Sequence, residues 1–297
     1  MKEFSYLSSV LGIRQALFYF FYKINLKLFY SKHYHKKNIN RKKRVEQVYE
    51  ALTYRELNRK NIANKIYYQF NLINSKSNVW VRPFSSDLKV YHQIFKEDSY
   101  KCVIDIYNQL FQKAPSIVID CGANIGFASI YFHSHYPDAK YILIEPFHDN
   151  IESIKLNTND SGLLNCKIIE GAIWNTDTQL SLSRDFRDGE EWSIKAIPAQ
   201  PESQSINGIC LKTLVHQQKK IIDILKIDIE GSEVQLFEDK DYAGEFLRQV
   251  KCLVIEIHDE FKIREKIYQI LIENKFFFYE NNELTIALNK SFININN

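Results

Sequence analysis

From about residue 100 onward the chain alternates short β-branched runs with stretches whose apolar positions recur every three or four residues. A period of two alternating with a period of 3.6 is the signature of a parallel sheet with crossover helices. It predicts strands over 116–120, 140–145, 167–170, 222–228 and 251–257. Two further runs, 276–279 and 284–288, flank "ENNE", which predicts a hairpin turn. Together they make a doubly wound α/β fold with a seven-stranded sheet that ends in an antiparallel hairpin. Helices fall between the strands. "FASIYFHSHY" follows the first and "DNIESIKLNTN" the second, with Ile151, Ile154 and Leu156 on a partial apolar face. "KIREKIYQILIENK" follows the fifth, with Ile263, Ile267, Ile270 and Leu271 at helical spacing. Residues 175–210 are polar and interrupt the alternation, which predicts a substrate-covering loop. Residues 45–99 read as helical and then extended around "NVWVRPFSSDLKVY". The predicted organisation is a basic, largely helical arm and cap over 1–99, then one sheet domain over 100–297.

In a doubly wound sheet, ligands bind beyond the carboxyl ends of the strands, where the strand order reverses. The predicted strand ends carry unusual residues: Asp120, Glu145, Asp228, Glu230, Glu256 and His258. In "IVIDCGANIGFAS", residues 117–129, Gly122 and Gly126 flank Asn124 and allow a turn and a close backbone approach to a ligand. A dinucleotide fingerprint would carry a middle glycine and require no acid in front, which argues against a nicotinamide oxidoreductase. A carboxylate at Asp120 would repel a pyrophosphate but suit the ammonium end of a methionine moiety. Glu145, at the end of the next strand, is placed to accept both hydroxyls of an adenosine ribose. Together they specify a cationic amino-acid nucleoside, S-adenosyl-L-methionine. The alternative is a plain strand-to-helix turn with Asp120 as the helix cap.

Charge divides the chain. Residues 1–65 hold 15 Lys/Arg against 4 Asp/Glu, a net of +11, and the remainder holds 24 against 32, a net of −8. The arm's apolar run, residues 16–22, is far short of the roughly 20 residues that span a bilayer, so no transmembrane helix or export signal is read. Phe18, Phe21, Phe29 and Tyr30 near Lys23 and Lys27, followed by the cluster Lys36, Lys37, Arg41, Lys42, Lys43 and Arg44, suit a membrane interface with anionic lipid. A helix packed on the body is the plainer reading. Five scattered cysteines without a CxxC or zinc-like cluster fit thiols kept reduced. The expected location is cytoplasmic, with the arm at the inner face of a membrane.

At this point the sequence resembles the FkbM-type methyltransferases. "VIDCGANIGFASIYF", "ILIEPFHDNIESIKLN", "ILKIDIEGSEVQLF" and "LVIEIH" match that family's successive blocks in order, over roughly residues 90–280, and the KIDIEGSE block is the most specific. The resemblance implies a class I, Rossmann-like methyltransferase fold and transfer of a methyl group to a hydroxyl, usually on a sugar or natural product. By position it implies that Asp120, Gly122, Asn124, Gly126 and Glu145 bind the cofactor. Many methyltransferases carry an acid after strand three for the adenine amino group. Here "EGAIW" leaves Glu170 or the backbone of Ala172 for that contact.

An alcohol is a poor nucleophile at neutral pH, so a positioned base helps. His258 titrates nearest neutrality and is the first candidate, Asp228 the second; Glu230 is either a third or, with Glu233, an acid that charges the start of the helix in "SEVQLFED". Asp228, Glu256, His258 and Asp259 are also hard or borderline ligands for magnesium, at a spacing that is not diagnostic. Asp87 and Tyr100, in the stretch before the sheet, are candidates to touch cofactor or acceptor, while Tyr91, Ile94 and Phe95 read as the inward face of a helix. The expected activity is O-methylation of a hydroxyl on a cell-surface glycan or natural product. The alternatives are an RNA methyltransferase that uses the basic arm, disfavoured by the acidic body, and a non-catalytic binding module.

Overall fold

The computed structural model describes residues 59–62, 65–72, 77–82, 85–183, 195–199 and 205–293. The basic arm lies outside the described residues. By its internal contacts the chain divides into two compact units, residues 1–71 with 79–90, and residues 72–78 with 91–297.

In the first unit the strands Arg59–Ile62 and Lys65–Asn71 pair antiparallel, and Asn78–Val81 completes a three-stranded sheet. The extended reading of 78–81 is met. The helical reading of the residues just before it is corrected for 59–62 and 65–71. The run "KIYYQFN" is rich in aromatic and β-branched side chains, which favour a pleated, half-buried surface, and it buries Tyr67, Tyr68 and Phe70. Lys60 Nζ lies 5.4 Å from the Trp80 ring. The buried Asp87 is clamped by Arg82, accepting from its backbone N–H at 2.7 Å, from Nε at 2.9 Å and from a terminal nitrogen at 2.7 Å. Its carboxylate is thus engaged within its own unit.

The second unit holds a seven-stranded sheet built from β1 (Ile117–Cys121), β2 (Lys140–Glu145), β3 (Cys166–Glu170), β4 (Ile222–Ile227), β5 (Val250–Glu256), β6 (Phe276–Asn281) and β7 (Leu284–Asn289). The spatial order is β3-β2-β1-β4-β5-β7-β6. β1 to β5 are parallel, and β7 lies antiparallel between β5 and β6. This is the class I methyltransferase arrangement, with the switch point between β1 and β4. The predicted strands lie within one or two residues of these, the ordinary uncertainty of element ends. The helices are α1 (Lys101–Phe111), α2 (Phe127–His135), α3 (His148–Ser161), α4 (Leu211–Gln217), α5 (Glu233–Phe237), α6 (Lys240–Leu247) and α7 (Arg264–Glu273).

One face of the sheet is dry. Ile119, Ile142, Leu225 and Leu253, one position each on β1, β2, β4 and β5, join Leu236, Phe237, Phe246, Ile267 and Leu271 in one apolar cluster. Residues two apart share a face, so the opposite face carries Val118, Ile224 and Cys252, then Asp120, Lys226 and Val254 one step further along. Register places Lys226 of β4 directly beside Asp120 of β1 on one side and Val254 of β5 on the other.

The polar insertion is not a loop over its described length. Ala172–Trp174, Thr178–Ser183, Lys195–Pro198 and Ser205–Cys210 form a second, four-stranded sheet. "TQLSLS" alternates with period two, and its inward Leu180 joins Ala172, Trp174 and Ala196 in a small core. The loop expectation fails because that alternation is carried by serine and threonine rather than by large apolar residues.

Candidate active site

β1 delivers the chain into a turn that only glycine can make. At Gly122, φ is +77°, and a Cβ there would sit 1.7 Å from the backbone oxygen of Asp228. The close approach joins the loop after β1 to the loop after β4, and Asp228 N–H donates to Cys121 O at 3.0 Å. Gly122 and Ala123 both donate to Ile144 O at 3.0 Å, so the glycine loop is anchored on β2 as well.

Glu145 closes this loop from the end of β2. One carboxylate oxygen accepts the Asn124 N–H at 2.9 Å, and the other accepts from Phe147 N–H at 3.0 Å and Asn150 Nδ2 at 3.1 Å. Asn124 holds the left-handed conformation, φ +49°, that aims its N–H at Glu145. Burial pushes the Glu145 carboxyl up to about 7, against the hydrogen bonds from Phe147, Asn150 and Asn124. Among the described residues, Asn124 Oδ1 is buried with no hydrogen-bond partner. An oriented carboxylate beside a loop with an unanswered acceptor fits the diol and amino groups of an aminoacyl nucleoside.

Asp120 is enclosed completely. One oxygen accepts from Ser129 Oγ at 2.7 Å, and the other lies 3.1 Å from Lys226 Nζ. Lys226, itself buried, also donates to Gly122 O at 3.0 Å and lies 3.5 Å from Asp228 Oδ2. Burial pushes the lysine down, but Asp120 and Asp228 outweigh it and hold the ammonium far into its charged range. The cation beside Asp120 is therefore the chain's own. The structure assigns Asp120 to positioning Lys226 and the glycine loop, which corrects the expectation that it reaches a methionine ammonium directly.

Lys226 is the residue that the motif reading passed over. The signal was present, because a lysine inside "IDILKIDI", a run buried on both faces, is anomalous unless paired. The β1–β4 register supplies the pair.

His258 lies among carboxylates. It is buried, with Nδ1 3.1 Å from Glu233 Oε1, Nε2 3.3 Å from Glu230 Oε2 and Nε2 3.7 Å from Glu256 Oε1. Burial pushes the imidazole down, yet the bonds to Glu230 and Glu233 carry it up to about 11. The surrounding carboxylates favour the imidazolium, which weighs against its choice as proton acceptor. Glu233 also accepts the Ile229 N–H at 3.1 Å, so it holds His258 and the β4–α5 turn in place rather than merely charging a helix. Glu230 faces the same ring from a left-handed residue, φ +54°.

Asp228, Glu230 and His258 bring one ligand-type atom each within 4.8 Å of one another. Magnesium prefers an octahedron of oxygens, whereas this set offers two carboxylates and an imidazole whose other nitrogen lies 3.1 Å from Glu233. Of the two other candidate ligands, Glu256 lies 3.7 Å from His258 Nε2 and Asp259 is held at 2.6 Å and 2.9 Å by Arg264.

Glu170 is half-exposed, and its Oε1 lies 2.9 Å from His148 Nδ1. Ala172 is buried and registers with Gly208 in the second sheet, so its strand is part of that ladder. Tyr100, at the start of α1, packs its ring 5.2 Å from Phe132 and 6.3 Å from Tyr131. Its buried hydroxyl interacts electrostatically with Lys226, Asp228, Asp120 and Glu256. Lys195 of the second sheet lies 4.1 Å from the Phe261 ring in the β5–α7 loop. Among the described residues no helix is long and apolar enough to cross a membrane.

Residues 120–288 match the family model described as the methyltransferase FkbM domain. Methyltransferase sdnD from Sordaria araneosa is 26% identical over 221 residues, covering 63% of this chain and 81% of that protein. Among solved structures, a methyltransferase from Geobacter sulfurreducens aligns with a TM-score of 0.39 at 16% identity, over 63% of this chain and 76% of its own. A Streptococcus mutans protein in complex with SAH aligns with a TM-score of 0.38 at 12% identity, over 63% and 96%. At such scores the strand order, not the likeness, carries the fold. The match from Asp120 through the end of the sheet takes in the glycine loop, Glu145 and the KIDIEGSE block, and the chain belongs to the FkbM family of S-adenosylmethionine-dependent methyltransferases.

Proposed function

We propose that this chain methylates a hydroxyl on a sugar of a cell-surface glycan or natural product. The observation that carries the reading is the pairing of two acidic surfaces at one sheet edge. Glu145 and the glycine loop suit the diol and amino-acid parts of the cofactor, and Asp228, Glu230 and Glu256 line the ground beside them. When bound, S-adenosylmethionine supplies a methyl group on a positively charged sulfur. Glu145 would hold the ribose hydroxyls, the loop of Gly122, Asn124 and Gly126 the amino-acid portion, and Glu170 the adenine side. Asp120 and Lys226 fix the loop.

An acidic mouth favours an uncharged polyhydroxyl acceptor and repels a phosphate backbone, which weighs against RNA. The arm, residues 1–44, would bring the enzyme to lipid-linked acceptor at the inner face of a membrane. The test is calorimetric titration of S-adenosylmethionine and S-adenosylhomocysteine into wild type and Glu145→Gln, followed by an acceptor screen with neutral glycans and RNA. Saturable binding weakened at least tenfold in the variant, with methylation of glycans only, is expected. Methylation of RNA would replace the glycan reading, and binding without turnover on any acceptor would favour a binding module. Deleting 1–44 should abolish binding to anionic vesicles and leave turnover on soluble acceptors intact.

A further inference from the structure

Glu256 lies in the "LVIEIH" block, where the sequence assigns it no catalytic or cofactor role, and the register singles it out. Ile227 of β4 pairs with Ile255 of β5, so the next residues, Asp228 and Glu256, leave neighbouring parallel strands side by side. Both are two residues beyond the level of Lys226 and Val254, on the face that carries Asp120. They therefore stand as two carboxylates at one sheet edge, partly exposed while their flanking strand residues are buried.

The groups that face Glu256 come from four elements: Asp228 and Glu230 after β4, His258 after β5 itself, Glu283 in the β6–β7 turn, and Tyr100 at the start of α1. Lys226 is drawn to Asp120 and Asp228. His258, between Glu230 and Glu233, is the cation nearest Glu256, at 3.7 Å. Burial first, then Asp228, push the Glu256 carboxyl up to about 8, against the pull of His258. A carboxylate beside a second one in a partly dry site favours its proton-bound form, because both charges together are costly.

Resting on the reading that this edge receives the sulfonium, we propose that Glu256, set beside the Asp228 carboxylate, holds a proton which is expelled when the cofactor's positive charge arrives. The Glu256 carboxylate so formed is the base that accepts the acceptor hydroxyl's proton. The chemistry balances. The acceptor oxygen's lone pair forms the new C–O bond to the methyl carbon, and the C–S bond breaks with its electron pair remaining on sulfur as a neutral thioether. The hydroxyl proton passes to Glu256. The proton released when the cation binds is thus replaced by the one taken in the reaction, and the pair returns to its starting state. Asp228 is the positioning partner whose charge makes Glu256 hold a proton until then.

The test counts protons rather than turnover. Titrating S-adenosylmethionine and S-adenosylhomocysteine into the full chain without acceptor, near pH 7.5, in buffers of different ionisation enthalpy gives the protons released with each ligand. The two ligands share ribose, adenine and amino-acid groups, so any proton moved by Glu145 cancels in the difference. The sulfonium ligand should release more, by a fraction approaching about one proton. That excess should vanish in Glu256→Gln and fall in Asp228→Asn, where Glu256 loses part of what holds its proton. Equal release by both ligands in wild type overturns the proposal, as does an excess that persists in Glu256→Gln. Should Glu256→Gln fail to fold, an unchanged excess in Asp228→Asn overturns it instead. Failure of folded protein to bind either ligand would sink the cofactor assignment itself, and this inference with it.

Discussion

The two ends of the parallel strands solve the problem of a buried carboxylate in opposite ways. At the N-terminal edge, Asp223 of β4 accepts five hydrogen bonds: from Tyr107 Oη, Ser116 N–H, Ser116 Oγ, Ile117 N–H and Lys251 Nζ, the last at 2.7 Å. Burial pushes its carboxyl up, but Lys251 and Ser116 outweigh it and hold the group below the usual carboxylate range. One anion meets one cation, and the donors tie α1, β1, β4 and β5 together. At the C-terminal edge, Asp120, Glu145, Asp228, Glu230, Glu233 and Glu256 meet two buried cations, Lys226 and His258. There Glu145 and Glu256 are pushed up, to about 7 and about 8. A balanced network fixes strands; an acidic surplus holds charge ready for a cationic ligand and a proton. Conflict among local preferences is the mark of a functional edge.

If that contrast is right, the largest loss of stability comes from the edge with no chemistry. Asp223→Ala leaves Lys251 without its 2.7 Å partner and strips Tyr107, Ser116 and Ile117 of their common acceptor. Denaturant unfolding should show a loss of about 4–5 kcal/mol, with cofactor affinity per folded molecule unchanged. A loss under 1 kcal/mol would remove the structural reading of this edge.

Lys226→Met comes next. It leaves Asp120 buried with only Ser129 as partner, at an expected cost of about 3 kcal/mol, and it frees the Gly122 carbonyl, so cofactor affinity should fall as well. The double variant Lys226→Met with Asp120→Asn should regain most of the stability and little of the affinity. Recovery of both would make Lys226 purely structural.

Much of this was legible in the chain and some was not. Strand positions, the hairpin and the glycine loop follow from patterns local to ten residues, and these appear where expected. The roles of Asp120, Lys226 and His258 depend on register, on which residue of β4 lies beside which residue of β1, and no local pattern carries that information. His258 looked like a base because its unperturbed chemistry suits one. Glu230 and Glu233, 25 or more positions earlier in the chain, favour its charged form instead. The second sheet was missed for a related reason, because a small core of Ala172, Trp174, Leu180 and Ala196 needs few large apolar residues to specify it.

The edges should also differ in their response to pH. Glu145, ordinarily near 4.5 and held near 7 in the fold, binds a proton between those values that the unfolded chain lacks. Its stabilising contribution is therefore full below about pH 4.5 and lost as pH rises through about 7. Glu256 acts in the same direction through about 8. Asp223 is depressed, so its contribution is lost only on acidification below the normal carboxylate range, outside this window. In the cofactor-free protein these two acids together should account for a loss of about 4 kcal/mol between pH 6 and pH 8.5, and Glu145→Gln should flatten the slope of Tm against pH. His258, raised from 6.5 to about 11, loses stability over the same window, so a slope remains in Glu145→Gln with Glu256→Gln. A slope as steep as that of wild type would remove the two acids as its source.

The smallest effect separates the loop's shape from its charge. Gly126 sits at φ +87° just before α2, and a Cβ there would find Ile154 atoms no nearer than 3.7 Å, ordinary contact distance. Gly126→Ala therefore meets backbone strain alone, about 1–2 kcal/mol, with no clash and no change to any carboxylate. Calorimetry should show cofactor affinity reduced by less than tenfold if the acids dominate recognition, against at least tenfold for Glu145→Gln. A larger loss in Gly126→Ala than in Glu145→Gln would reverse that ranking, because the close approach of the backbone to the ligand would then outweigh the carboxylate that the ribose is expected to meet.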